Sequence, residues 1–157
     1  MSYILSPHHP ISAIEEENLD AFAHLIPPTG NQLLGLLGKR DGLRLLNAWP
    51  GVQICVPKGP CNNAGGTRRW AQIVAIIGEA ATAALADEMG GEYLEVPTLT
   101  HLRRARRNHA IRAQFDRLTA RPPAGEGMSK ATAVQELGML NAPLSWRQIE
   151  LILDRAD

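Results

Sequence analysis

The sequence has few cysteines, no net charge and no long hydrophobic run. Cys55 and Cys61 are its two cysteines, too few for the disulfide framework of a small secreted domain, and no Cys/His cluster has zinc spacing. We therefore expect reduced thiols, no metal and a cytoplasmic location. Although 45% of the residues are hydrophobic, no apolar run reaches the length of about 18 that a membrane span needs. The N-terminus also lacks the basic and apolar segments of a signal peptide.

Recognisable catalytic elements are missing as well. Asp87, Glu88 and Asp154 are present, but the chain shows no paired carboxylates in an identifiable site and no nucleophile motif. The glycine-rich linker from Lys58 to Thr67 is predicted to be a loop, and it lacks the spacing and the lysine of a phosphate-binding loop. We expect a protein that is not an enzyme and holds no cofactor.

The first 30 residues are expected to form a tail and one helix. Residues 1–12 are predicted to be irregular, and His8 and His9 to be solvated, because nothing nearby completes a metal site. Acidic residues and apolar residues at helical spacing then predict a helix that ends at Pro27 and Pro28.

An internal repeat occupies the middle of the chain. Residues 31–57 align without gaps with residues 71–97 at a constant offset of 40. The glycines and the proline of the two copies fall in register, which indicates duplication. The identical pairs are Gln32/Gln72, Gly38/Gly78, Leu45/Leu85, Gly51/Gly91, Val56/Val96 and Pro57/Pro97.

Each copy of the repeat is predicted to form the same elements. A short apolar helix reaches the glycine at position 38 or 78, a second helix follows, and a glycine turn leads to a strand closed by proline. The predicted strands run from Val52 to Val56 and from Glu92 to Val96. Since a lone strand pair is marginal in water, we expect these strands to pair with each other or to mediate self-association.

A basic segment follows the repeat. Residues 101–121 hold seven arginines and one acid, so they carry +6 while the rest of the neutral chain carries −6. Such a concentrated positive field attracts phosphate. Ile111, Phe115 and Leu118 form one helical stripe, so the later part of the segment is expected to pack. Residues 103–107 are expected to be solvated or bound to an anionic partner.

Two short helices are predicted at the C-terminus. The first is expected to end at Gly138, and Ser145 with Gln148 is spaced as the capping box of the second. Two short helices joined by a turn are typical of a helix-turn-helix. The part of the basic segment that carries the apolar stripe is expected to form the third helix of this domain. We predict that the stripe packs against Ala133, Leu137, Ile149 and Ile152, while Val134 and Leu153 complete the apolar faces of the two helices.

The second repeat copy and the segments after it resemble the Mor-type phage transcription activators. The resemblance covers about residues 70–155. Its most specific parts are Gly90-Gly91 followed by Val96-Pro97, and Ile111-Arg112 followed by Phe115. It implies a dimerisation strand over residues 92–96, a basic helix over 103–115 and a recognition helix over 145–154. The additional first copy of the repeat predicts that one chain forms an intrachain pseudo-dimer.

The expected fold is mainly α with a small two-stranded β ribbon: a duplicated helix-helix-strand unit followed by a helix-turn-helix-like three-helix domain. We expect a tail and helix over residues 1–30, an assembly module over 31–98 and a DNA-binding domain over 99–157.

The expected function is a sequence-specific DNA-binding transcriptional regulator of phage or prophage origin. Its partners would be double-stranded DNA and, for an activator, RNA polymerase or other phage proteins. Arg147 and Gln148 would read base edges, whereas Trp146 is expected to pack in the core or at the helix cap. The phosphate contacts would come from Arg103, Arg104, Arg106, Arg107 and Arg112.

The alternative is a phage virion or assembly protein that reuses the same module. Its arginines would bind packaged DNA or an acidic protein surface, and its repeat would pair strands with neighbouring subunits. Two features favour this alternative: the assembly unit is doubled, and residues 128–157 carry three cations against four acids.

Overall fold

The computed structural model describes residues 13–61 and 63–155. The expectations for residues 1–12, including His8 and His9, lie outside this range. The described chain is mainly helical with one two-stranded antiparallel ribbon, as the sequence predicts. It divides into two compact units, the repeat unit Ala13–Leu102 and the C-terminal unit that begins at Arg103.

The repeat unit contains most of the secondary structure. The described helices and strands of the chain are α1 (Glu16–Ala21), a 3-10 turn (Ala23–Leu25), α2 (Pro28–Ala48), β1 (Gln53–Cys55), α3 (Ala64–Ile77), α4 (Glu79–Met89), β2 (Tyr93–Glu95), α5 (Thr100–Thr119), α6 (Lys130–Leu140) and α7 (Trp146–Asp154). The last two and nearly all of α5 belong to the C-terminal unit.

The predicted strands pair with each other inside the chain. Ile54 lies opposite Leu94, which is its own equivalent at the offset of 40, and the flanking pairs are Gln53 with Glu95 and Cys55 with Tyr93. The hydrogen bonds beyond the ladder also come in equivalent pairs. The Val56 amide donates to the Glu92 carbonyl oxygen and the Val96 amide to that of Val52, both at 2.9 Å. The ribbon is therefore a pseudo-twofold structure centred on residues 54 and 94.

The glycines at 38 and 78 separate the helices of each copy. Gly38 has φ 82° and ψ 164° and breaks α2, while Gly78 has φ 85° and ψ 169° and separates α3 from α4. This backbone region is accessible to glycine and almost closed to residues with a Cβ. The predicted position of the helix break in both copies is confirmed.

The core of the repeat unit draws on equivalent positions of both copies. Alternating residues of each strand face inward, so that Ile54 and Leu94 are buried while their neighbours in the strands are exposed. The equivalent pairs in this core are Leu33/Ile73, Leu45/Leu85, Ile54/Leu94 and Val56/Val96. Burial of these paired apolar side chains stabilises the repeat unit.

The segment before the repeat also belongs to this core. Ile14 and Leu19 are buried in it. The Asn47 side chain fixes the start of the segment, because its Oδ1 accepts from the Ile14 amide and its Nδ2 donates to the Ile14 carbonyl oxygen, both at 2.9 Å. The helix predicted to end at Pro27 and Pro28 is shorter than expected, because α1 ends at Ala21 and a 3-10 turn follows over Ala23–Leu25. Pro28 is instead the first residue of α2, where its missing amide proton costs nothing.

Two sequence expectations about glycines were wrong. The linker was expected to be a loop through Thr67, but α3 begins at Ala64, because the Asn63 side chain caps it by accepting from the Gly66 amide at 2.7 Å. Gly138 was expected to end α6, which instead continues to Leu140. Glycine weakens a helix by roughly 1 kcal/mol, and packing outweighs that amount.

The C-terminal unit is a three-helix arrangement around a small core. Ile111, Leu137, Ile149 and Ile152 are buried in it, and Phe115 and Leu118 pack against it while remaining half-buried. The predicted packing of the apolar stripe of α5 on Leu137, Ile149 and Ile152 is confirmed. The predicted partner Ala133 is buried, but Val134 takes its place in this cluster. Ser145 caps α7 by the predicted box: its hydroxyl accepts from the Gln148 amide, and the Gln148 side chain accepts from the Ser145 amide at 2.8 Å.

Candidate nucleic-acid interface

An arginine-lined cleft lies between α5 and α7 in the C-terminal unit. Its volume is about 400 Å³. Four arginines, Asn108 of α5 and Gln148 of α7 line it, together with three apolar side chains, and the described lining contains no carboxylate. The lining residues are Arg104, Arg107, Asn108, Arg112, Leu144, Gln148, Leu151, Ile152 and Arg155. We refer to it as the arginine cleft.

The charges in the arginine cleft repel one another. Burial lowers the pKa of the half-buried Arg107, and the positive charge of Arg104 lowers it further. A guanidinium stays protonated under any physiological condition, so a bound anion, rather than proton loss, would offset this repulsion. Arg107 is also oriented, because its Nε and Nη2 both donate to the Asn108 Oδ1, at 3.1 and 2.8 Å.

Arg112 joins the two walls of the cleft. Its Nε donates to the Ile152 carbonyl oxygen at 3.1 Å and its Nη2 to that of Arg155 at 2.7 Å. These carbonyls end α7, where the helix dipole favours a cation. Arg112 thus holds α7 against α5, and its role is first of all structural.

Two other arginines of α5 differ from the sequence expectation in exposure. Arg106 was expected to contact phosphate, but its side chain is buried, with 4% of its surface exposed. Residues 103–107 are therefore not uniformly solvated, because a helix turns successive side chains to different sides. Arg103 is half-buried, and burial lowers its pKa. Arg104 is exposed.

The start of α7 presents Arg147 and Trp146 to solvent. Trp146 was expected in the core or at the cap, but 56% of its surface is exposed. The Arg147 guanidinium lies over its ring, 5.2 Å from the centroid, and the pair forms a cation–π contact. Gln148 is exposed too, but its side-chain oxygen is used by the Ser145 amide. A bidentate contact from the Gln148 side chain to adenine would break its hydrogen bond with the Ser145 amide.

The acids of the terminal helices lie outside the arginine cleft. Glu150 and Asp154 do not line it, and Asp154 lies 4.0 Å from the Lys130 ammonium of α6. The negative sum for residues 128–157 therefore does not describe the surface that faces α5. Charge count alone predicted a poor anion-binding surface, and the arrangement of the helices gives a positive one.

Sequence reasoning missed Arg155 and Asn108 as members of this cluster. Arg155 is adjacent to no motif, and its place in the cleft depends on the way α7 packs on α5. The conspicuous arginine run and the capping box, by contrast, led directly to Arg104, Arg107 and Gln148.

Comparison with protein-family models, with curated proteins and with solved structures finds no match. Among the described residues, no group of three or more His, Cys, Asp or Glu side chains is arranged to hold a metal ion. No helix in the same residues has the length and hydrophobicity required to cross a membrane.

Proposed function

We propose that this protein is a DNA-binding regulator of the Mor type, which binds duplex DNA through the arginine cleft and α7. The observation that carries the proposal is the convergence of Arg104, Arg107 and Arg155 on one cleft whose described lining contains no carboxylate. Cations that are partly desolvated and close together gain most from an anion that several of them share. The phosphates of a duplex backbone supply such an anion at regular spacing.

The arrangement of α6 and α7 supports the same function. Two short helices that pack on a third form the architecture in which a second helix enters the major groove by its N-terminal residues. In this protein that end of α7 is exposed and carries Arg147 and Trp146. We assign base reading to Arg147, since arginine suits the acceptor edge of guanine. The cleft beside α7 would hold the backbone and set the position of the helix.

The alternative assembly function loses part of its basis. It was motivated by strands that pair with neighbouring subunits and by the acidic sum of the terminal helices. The strands pair within one chain, and the described acids of α6 and α7 lie outside the cleft. A regulator that acts in the bacterial cytoplasm, of phage or prophage origin, fits the resemblance and the cleft together.

The first test measures duplex affinity against salt concentration. Replacing Arg104 and Arg107 by alanine removes two phosphate contacts, so the logarithmic salt slope should fall by about 1.8, or about 0.9 for each contact. The matched control replaces Arg117 and Arg121 by alanine. Both residues are exposed and lie outside the cleft, and their replacement removes the same total charge. An equal loss of slope in both double variants, or no binding to any duplex, would refute the assignment of the cleft.

The second test separates base reading from backbone binding. A preferred sequence is first selected from random duplexes with the full chain. Arg147→Ala should then weaken binding to that sequence by about 1–3 kcal/mol and binding to random duplex much less. Trp146→Phe keeps a ring for the guanidinium and serves as the control. If Arg147→Ala weakens both duplexes equally, the residue touches only the backbone.

A further inference from the structure

The repeat unit has the symmetry of a two-chain interface but is built from one chain. In a twofold dimer, each contact between residues of the two partners occurs twice with the partners exchanged. Here Gln53 pairs with Glu95, and the exchanged equivalent pair, Cys55 with Tyr93, is also present. The turn bonds obey the same rule.

Those turn bonds show how closely the two copies agree. The Gly51 amide donates to the Val96 carbonyl oxygen, and the equivalent Gly91 amide donates to that of Val56, both at 2.7 Å. Gly51 and Gly91 both have positive φ, 76° and 87°. The strand that a second chain would contribute is thus already in place.

The symmetry ends where the chain leaves the ribbon. After the second copy, Pro97 is followed within three residues by the first residue of α5, the basic helix. After the first copy, Pro57 leads into a loop and then α3, which supplies the second copy. One pseudo-twofold repeat unit is therefore followed by one DNA-binding unit. A dimer of chains that each had a single copy of the repeat would have two DNA-binding units.

We infer that the DNA target is a single, non-palindromic site bound by one chain. This inference rests on the proposed function. Palindromic operators are bound by proteins whose two recognition helices are related by a twofold axis. This chain forms the pseudo-dimer by itself but has one recognition helix. It therefore does not require a palindromic DNA sequence.

The intrachain ribbon can be tested without DNA. Residues directly opposite in an antiparallel pair have Cα atoms about 4.5–5.5 Å apart, within the range of a disulfide. Tyr93→Cys in a Cys61→Ser background should thus form an oxidised bond with Cys55 inside one chain, which migrates as a monomer on a non-reducing gel. Tyr93→Ser in the same background is the control. A covalent dimer, or no bond, would overturn the inference.

The target is tested with the 157-residue chain without substitutions. Sedimentation should give a free mass near 17.1 kDa, and duplexes selected from a random pool should share a non-palindromic consensus with one chain bound at saturation. A palindromic consensus that binds two chains overturns this inference and leaves DNA binding intact. If no duplex is selected, the proposed function fails, and this inference fails with it.

Discussion

Alanine at Gly38 should destabilise the repeat unit although space for its side chain exists. A Cβ at this position would meet no atom within 4 Å, so packing predicts no cost. The cost comes from φ 82° and ψ 164°, where a Cβ is strained against its own backbone. Such strain is about 1–3 kcal/mol for one residue.

Gly35 provides a matched control in the same helix. A Cβ there also meets nothing within 4 Å, and its φ lies outside the positive range. Gly35→Ala should therefore stabilise the unit by roughly 0.5–1 kcal/mol, because alanine loses less backbone entropy than glycine. The same substitution at two open positions of α2 should thus have opposite signs.

The assay is urea unfolding followed by tryptophan fluorescence in a Trp146→Phe background, which leaves Trp49 and Trp70 in the repeat unit. At a slope of roughly 1–3 kcal/mol per molar urea, Gly38→Ala should lower the midpoint by about 1 M and Gly35→Ala should raise it slightly. Gly78→Ala, at the equivalent position, should behave as Gly38→Ala does. If Gly38→Ala is as stable as Gly35→Ala, the backbone argument is wrong.

Three further perturbations test the packing of both units. Ile111→Ala should cost about 2–5 kcal/mol in thermal unfolding of the C-terminal unit because Ile111 is fully buried, and Phe115→Ala should cost less because its ring is half-buried; the reverse order would contradict the core described here. Asn47→Ala should cost about 1–3 kcal/mol, since it leaves the Ile14 backbone groups unpaired. Asp87→Ala, at the equivalent exposed position, should leave the urea midpoint unchanged, and equal effects would show that the Asn47 bonds contribute nothing. Acrylamide should quench the exposed Trp146 strongly, and Trp146→Phe should remove the most quenchable emission; unchanged quenching would place this side chain in the core.

The repeat made much of the repeat unit predictable. A gapless offset with glycine and proline in register predicted the strands, the helix breaks and their pairing, because these features depend on local backbone requirements. The capping box of α7 was predictable for the same reason: Ser145 and Gln148 satisfy amides within one helical turn. Local rules failed at Gly66 and Gly138, where glycine stands inside a helix.

The candidate site was predictable only in part. The arginine run identified the helix, and the apolar stripe through Ile111 identified the side on which it packs. Neither pattern distinguished the buried Arg106 from the exposed Arg104. Arg155 entered the site without any sequence signal.

The sequence by itself determined most of the elements, the internal symmetry and the presence of a concentrated positive charge, since each of these follows from neighbours along the chain. Tertiary structure alone decided which charges share one surface. Packing of α7 on α5 brings Arg155 to Arg104 and Arg107 and leaves Glu150 and Asp154 outside the cleft. Electrostatic interaction depends on distance through space, and residues about 50 positions apart in sequence become neighbours only when helices pack.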